Sequence, residues 1–421
     1  MKATIAIYLS LFALTGTMRG GITNFRTDIN PALLYYRSFL LAPEPMAAAD
    51  ADYFGSKKGR TQDLPDRFGA IAAGYDNQFL LVRQAVYATV SCDWGIDPSP
   101  GPNTMLPHLA RAKAVVVAAQ LRAVWDLQHG RQNDACDDLL AAFALSRNAS
   151  RDGTLIGVLV QYAGEAIIHT TVAQNFGRFS PETLEQLADG FKAAPASRTL
   201  AATVSAEETN IHDWFVERIQ KLQQENAGDD AKVMEAIRPD FEVIDYYGPQ
   251  ALFGGRPGTN LWQRTVKASG GTSAGVIALL EQMQPQYAHV AQIMSLPERG
   301  YADQIKAFDA EIEHSTNPLV PALFPYPKLR VREFRIEAQE AMIQAAVEYR
   351  LHGESGLKSV RDPFGNGPFA LERFEFKGVD WGFELKSAYT GLGYPCVLIF
   401  VEKPGPPFLI DGPHAGQAVT E

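Results

Sequence analysis

Residues Thr154 to Phe176 read TLIGVLVQYAGEAIIHTTVAQNF. The run is long enough for about six helical turns. It is apolar on nearly every face, so a helix formed by it must be buried against neighbours on several sides. Gln161, Glu165 and His169 are the interruptions, and their spacing of four places them in one polar stripe along an otherwise apolar rod. A carboxylate inside such a rod needs a partner, because burying it alone costs several kcal/mol. Its own histidine is one candidate, and Arg147, one turn beyond Phe143 on an inner face of the preceding segment, is another.

Working outward, the flanking sequence reads as helices separated by short breakers. Met105 to His129 places Leu109, Val116, Ala119, Ala123 and Leu127 on one face and stops at Gly130. Asp134 to Ser146 continues with Cys136, Leu139, Leu140 and Phe143 inward. Upstream, Asp28 to Pro31 opens a short helix that stops at Pro43, and residues 68–91 are helical before the proline-rich break that leads to Thr104. Downstream, Ser180-Pro181-Glu182 combines a capping hydroxyl, a first-turn proline and a first-turn acid, and its helix ends before Pro195.

Ser197 to Gln224 is predicted as one long helix with Leu200, Val204, Glu208, Ile211, Phe215, Ile219 and Leu222 inward. Residues 226–272, rich in Gly, Asp and Pro, read as a long connection with one short helix at most. Helical pattern resumes from Ser273 to Leu296 with a break at Pro285, then from Tyr301 to His314, and last from Lys328 to His352 with Gly353 as its stop. Residues 369–376, 381–387 and 395–402 are short, aromatic or β-branched and partly alternating, which predicts strands. The fold class expected is therefore mainly α: antiparallel helical hairpins, with solenoid-like stacking as one arrangement they allow, closed by a small C-terminal antiparallel β module. The divisions expected are 1–20 as signal peptide or N-terminal anchor, 21–355 as the helical domain, and 356–421 as the β module with its Pro/Gly-rich tail.

Composition narrows the function classes. Of 421 residues, 46% are hydrophobic and 20% charged, which fits a folded globular chain. A net charge of −10 without a Lys/Arg cluster argues against nucleic acid and anionic membrane surfaces as partners. Lys2 followed by mostly apolar residues to Leu14 has the length of a signal-peptide core and is short for a bilayer span, so the chain is expected to be exported, periplasmic or associated with the cell envelope. No later segment reads as transmembrane, because the central helix carries Glu165 and His169. Cys92, Cys136 and Cys396 are far apart and form no metal-ligand spacing. They are expected as buried thiols, with one pair plus an odd thiol as the other arrangement three cysteines allow.

Three phrases carry a resemblance: CDWGIDPSPGPNTMLPHLARAKAV, NDACDDLLAAFALSRNASRDGTLIGVLVQYAGEAI and FSPETLEQLADGF. With them the chain resembles an uncharacterised family of exported, helix-rich bacterial proteins over most of residues 28–353. That resemblance implies a fold and export, and brings no activity. Asp362-Pro-Phe-Gly-Asn-Gly-Pro-Phe369 and the strands after it are similar to the strand-forming end of type II secretion pseudopilins, although the chain lacks their long assembly helix and acidic calcium-binding close.

Two constellations have the residue types that chemistry needs. Glu165/His169 and Glu208/His212 each place a carboxylate and an imidazole four apart on one helical face, and two such helices packed together would converge four metal ligands. Gly271-Thr-Ser-Ala-Gly275 matches the G-x-S-x-G nucleophile elbow in the form patatin-like lipases favour, with Gly254-Gly255-Arg256-Pro-Gly258 as oxyanion loop and Asp411 as the acid of a Ser273/Asp411 dyad. That chemistry requires a parallel sheet behind Ser273, whereas the sequence offers one doubtful strand, TVKA, then helices. A helix N-terminus accounts for the same letters. No phosphate-loop, dinucleotide or zinc-protease motif occurs, so no cofactor is expected. The reading preferred on sequence is a non-enzymatic scaffold or binding protein of the cell envelope with a protein partner, ahead of a serine hydrolase using Ser273/Asp411 and of a helical metal-binding protein.

Overall fold

Helix accounts for 66% of the structure. The computed structural model describes residues 25–247, 260–323, 326–391 and 393–418. The first group is α1 (Pro31–Leu40), α2 (Ala48–Gly55), α3 (Lys57–Thr61), α4 (Arg67–Gly74) and α5 (Asp76–Ala85). The central hairpins are α6 (Pro107–Gln128), α7 (Gln132–Ala149), α8 (Leu155–Gln174) and α9 (Pro181–Ala193). A further group comprises α10 (Val204–Glu207), a π-helical turn (Glu208–Asp213), α11 (Trp214–Glu225), α12 (Asp230–Tyr247), α13 (Leu261–Ala268), α14 (Ser273–Met294), α15 (Glu298–Glu313), α16 (Val320–Leu323) and α17 (Tyr326–Ser359). The chain closes with β1 (Ala370–Phe376), β2 (Val379–Lys386) and β3 (Val397–Val401).

The apolar rod of the sequence is α8, and it packs on α6, α7, α17 and β3. Its start is fixed locally. Gly153 takes φ +83°, a left-handed turn that a β-carbon would strain, and the Thr154 side chain then accepts the amide of Gly157. Glu207 completes the cap by accepting the Leu155 amide at 3.0 Å, which ties α10 to the head of α8. Gly164 brings α8 close to α7, since a β-carbon there would lie 2.9 Å from that of Ser146. Among the described residues α8 is the one helix long and apolar enough to cross a membrane, and 61% of its apolar window is buried inside the protein.

The stacking is closed, because α17 returns to pack on α8 and α9. The sheet is antiparallel in the order β1-β2-β3. Every residue of β3 is buried, while β1 is a largely exposed edge. Phe176, just after α8, meets the rings of Phe383 and Phe400 edge-on at 5.8 and 5.2 Å, and Tyr349 of α17 meets Phe383 at 5.0 Å. Residues from Ala32 to Ile410 therefore share one hydrophobic core, so the β module and the helices fold against each other. The three cysteines are buried thiols, and burial pushes Cys92 up to about 12 and Cys396 to about 11.

Several local expectations need correction. Residues 226–272 hold two helices: α12 runs through Pro239, and α13 contains the TVKA segment. α14 is continuous across Pro285 because its apolar stripe from Val276 to Met294 stays buried against its neighbours. Ser197–Gln224 is broken into a 3₁₀ turn, α10, the π turn and α11. The wider π turn delays the helical phase, so His212 is buried while Glu208 and Ile211 are half-buried. The expected stop at Gly353 holds: its backbone is non-helical at φ +63°, and a second short helical stretch follows it to Ser359. Residues 1–20, expected as signal or anchor, and the Gly254–Gly258 loop lie outside the described residues.

Candidate functional site

Two members of the α8 polar stripe, Gln161 and Glu165, are tied into a buried network, although Glu165 Oε2 accepts no hydrogen bond among the described residues. Glu165 is fully buried, and its Oε1 accepts Arg147 Nε of α7 at 3.0 Å and Gln161 Nε2 at 3.2 Å. Arg147 also donates to the Pro195 carbonyl at 3.1 Å and to Glu340 Oε2 of α17 at 2.7 Å, while its guanidinium lies over the Phe143 ring. Gln161 donates to Ser197 Oγ and accepts from Ser150 Oγ, both at 2.6 Å. Burial raises the Glu165 carboxyl to about 7 against the opposing pull of Arg147. His169 sits between Phe143 and Phe191, and neither ring nitrogen has a hydrogen-bond partner among the described residues. Burial, reinforced by Arg147, lowers it to about 3, so it is a neutral aromatic filler at any ordinary pH.

Glu165 and His169 do not join the second pair. His212 Nδ1 contacts Asp213 at 2.8 Å, and its ring lies 6.1 Å from that of Tyr287. Glu208 is only half-buried in the π turn, where residues four apart no longer share a face as they do in an α-helix. Among the described residues no three His, Cys, Asp or Glu side chains come together to hold a metal.

Ser273 begins α14 after the true N-cap, Thr272, whose hydroxyl accepts the Gly275 amide at 3.1 Å. Its hydroxyl contacts Asp230 Oδ1, its amide donates to that same oxygen at 3.0 Å, and Gln223 Nε2 donates to the hydroxyl at 2.7 Å. At 1% exposure the side chain is enclosed, and Asp230 acts as a second cap that pins α12 to α14. What precedes the turn is α13, so the segment is helix–turn–helix where an elbow needs strand–turn–helix. Asp411 bridges to Leu398 of β3, and Ser273 takes Asp230 as its acidic partner.

A cleft of about 430 Å³ opens where α4 and α5 meet α6 and α7, and sequence reading missed it. Asp138 of α7, fully buried, is its anchor: Oδ1 accepts Arg83 Nε at 2.6 Å and Oδ2 accepts Arg122 Nε at 2.7 Å. Arg122 also reaches the Ala72 carbonyl and Asp76, and its guanidinium covers the Phe79 ring. Arg131 holds Asp126 nearby, and burial raises the Asp126 carboxyl despite that arginine. Trp125 forms the wall against Gly69. One signal was available in the sequence: Ala135, Asp138, Ala142, Leu145 and Ala149 form one buried helical stripe, and an acid within it requires cations from neighbouring helices.

Comparison of the chain with protein-family models, curated proteins and solved structures gives no match.

Proposed function

We propose that this chain is a non-enzymatic scaffold or binding protein of the cell envelope, exported through its N-terminal apolar run, and that the cleft between α4–α5 and α6–α7 receives a protein partner. The observation that carries this reading is the contrast between the two kinds of polar group. Glu165 and Ser273, which looked chemical in the sequence, are occupied by Arg147 and Asp230 in contacts that join segments of the fold, and His212 is held by its neighbour Asp213. At the cleft the ion pairs instead reach solvent: Arg83, Arg131, Asp76 and Asp134 stand at the opening, paired with one another or with the buried Arg122, Asp126 and Asp138. Charges pre-arranged in both signs suit a partner surface of complementary pattern, since their geometry sets register without reorganisation on binding. The experiment that separates this from the hydrolase reading is labelling of the folded protein with a fluorophosphonate probe. No labelling is expected, and labelling that disappears in Ser273→Ala would make the protein a serine hydrolase.

A further inference from the structure

The exposed apolar side chains of this protein are concentrated in one place. Seven of the ten large hydrophobic residues that are exposed among the described residues lie on α1, on α5 or in the turn just after each. On α1 the outward stripe is Leu33, Arg37 and Leu40, continued by Leu41, with Leu40 at 85% exposure. On α5 it is Leu80, followed by the half-buried Gln84 and continued beyond the helix by Val86, Tyr87 and Val90. The two helices pack side by side and antiparallel. Thr89 donates to the Thr27 carbonyl at 2.8 Å at one end, and Pro43 lies against Gly74 at the other. Each helix buries its opposite stripe, Tyr35 with Ser38 on α1 and Phe79 with Val82 on α5, so the two outer stripes form one surface. Scattered single apolar residues need no explanation, but a contiguous patch on a chain with a 20% charged composition does.

We infer that this α1–α5 face docks on a lipid bilayer. Two observations select that occupant. First, the apolar run ending near Leu14 is joined to this face: Phe25 stacks edge-on against Tyr87 at 5.8 Å. Eleven residues from Leu14 to Phe25 span at most about 40 Å when fully extended. A membrane that accepts the run is therefore held within reach of the patch. Second, the stripe itself carries side chains suited to the headgroup region, with the exposed acids Glu44 and Asp76 at its Leu41 and Leu80 ends. Arg37 stands within the stripe, Arg26 at its edge is paired with Asp28, and Tyr87 presents an amphipathic ring. The patch borders the cleft at Leu80, so docking would set the cleft at the membrane surface.

The test uses the full chain with vesicles of phosphatidylcholine, whose surface carries no net charge, with a lipid-attached quencher. A small fluorophore is placed at Leu40→Cys, at Leu80→Cys or at the exposed control Val379→Cys, the native cysteines being buried. Quenching is expected at positions 40 and 80 and not at 379. Introducing Leu33→Glu and Leu40→Glu beside the label at position 80 is expected to cut that quenching about tenfold, because apolar burial at the interface is lost. Vesicle-bound protein with equal signals at 80 and 379 would show that the N-terminal run alone holds it, and would overturn the inference. So would a label at 80 that is shielded without vesicles, in a monomer if the run covers the face in cis or in a dimer if a second copy does.

Discussion

Arg147 Nε lies 3.0 Å from Glu165 Oε1, and with this one contact the guanidinium of α7 neutralises a carboxylate at the centre of α8. The remaining nitrogens of the same side chain reach the Pro195 carbonyl and Glu340 of α17. Segments nearly two hundred residues apart thus close around a single side chain. The α8 rod can bury its polar stripe because its only carboxylate is answered by Arg147, which Glu340 of α17 holds from the other side.

The pH dependence of stability follows from two members of that stripe. Glu165, at about 7 in the folded chain against 4.5 ordinarily, keeps a proton between those values that the unfolded chain has released. Its contribution is therefore full below pH 4.5 and is lost as pH rises through 7. His169, at about 3 against 6.5 ordinarily, stays neutral where the unfolded chain takes up a proton, so its contribution is lost as pH falls from 6.5 toward 3. Between pH 4.5 and 6.5 the two slopes, each at most about 1.4 kcal/mol per pH unit, oppose one another. Urea unfolding across this range should show Glu165→Gln losing stability toward acid more steeply than wild type. His169→Phe should lose stability toward neutrality.

The cleft wall depends on Asp138. Asp138→Ala removes the one buried carboxylate that Arg83 and Arg122 share and leaves them only the more exposed Asp134 and Asp76, which should cost about 3 kcal/mol. Asp138→Asn keeps an acceptor for one guanidinium and should cost less. Thermal denaturation of the two variants gives the order, and equal losses would mean that the retained acceptor contributes nothing and that the carboxylate's charge carries the whole effect.

The β module is pressed onto the helices at Gly177. A β-carbon there would lie 2.6 Å from the carbonyl carbon and 2.7 Å from the Cα of Glu402, and that backbone, at the end of β3, has little room to yield. Gly177→Ala should destabilise the whole protein by about 1–3 kcal/mol, as overpacking does. A single cooperative transition is expected, because helices and sheet share one core. A separate early melting step confined to the sheet would contradict that.

The architecture was legible where patterns were long and unbroken. The α8 rod, the Ser180 cap and the three strands stand close to their expected positions, because apolar periodicity and cap chemistry act locally. Local reading failed where tertiary packing overrides a breaker: Pro239 and Pro285 both lie inside helices that packing holds together. It failed again at Glu208–Asp213, where a π turn shifts the register and the i,i+4 rule no longer says which side chains meet. Arg147 was named from Glu165 alone, since a buried acid demands a cation. Asp138 makes the same demand, but its arginines come from α5 and α6, and no single helix displays the cleft that they line.

The most direct test of the claim that the α8 stripe is a structural clamp is the unfolding free energy of Arg147→Met, Glu165→Leu and the double variant. Arg147→Met should lose about 3–5 kcal/mol by stranding a buried carboxylate, and the double variant should recover most of that loss. An Arg147→Met protein as stable as wild type, or more stable, would contradict the clamp and mark the stripe as a site kept for function at the expense of the fold.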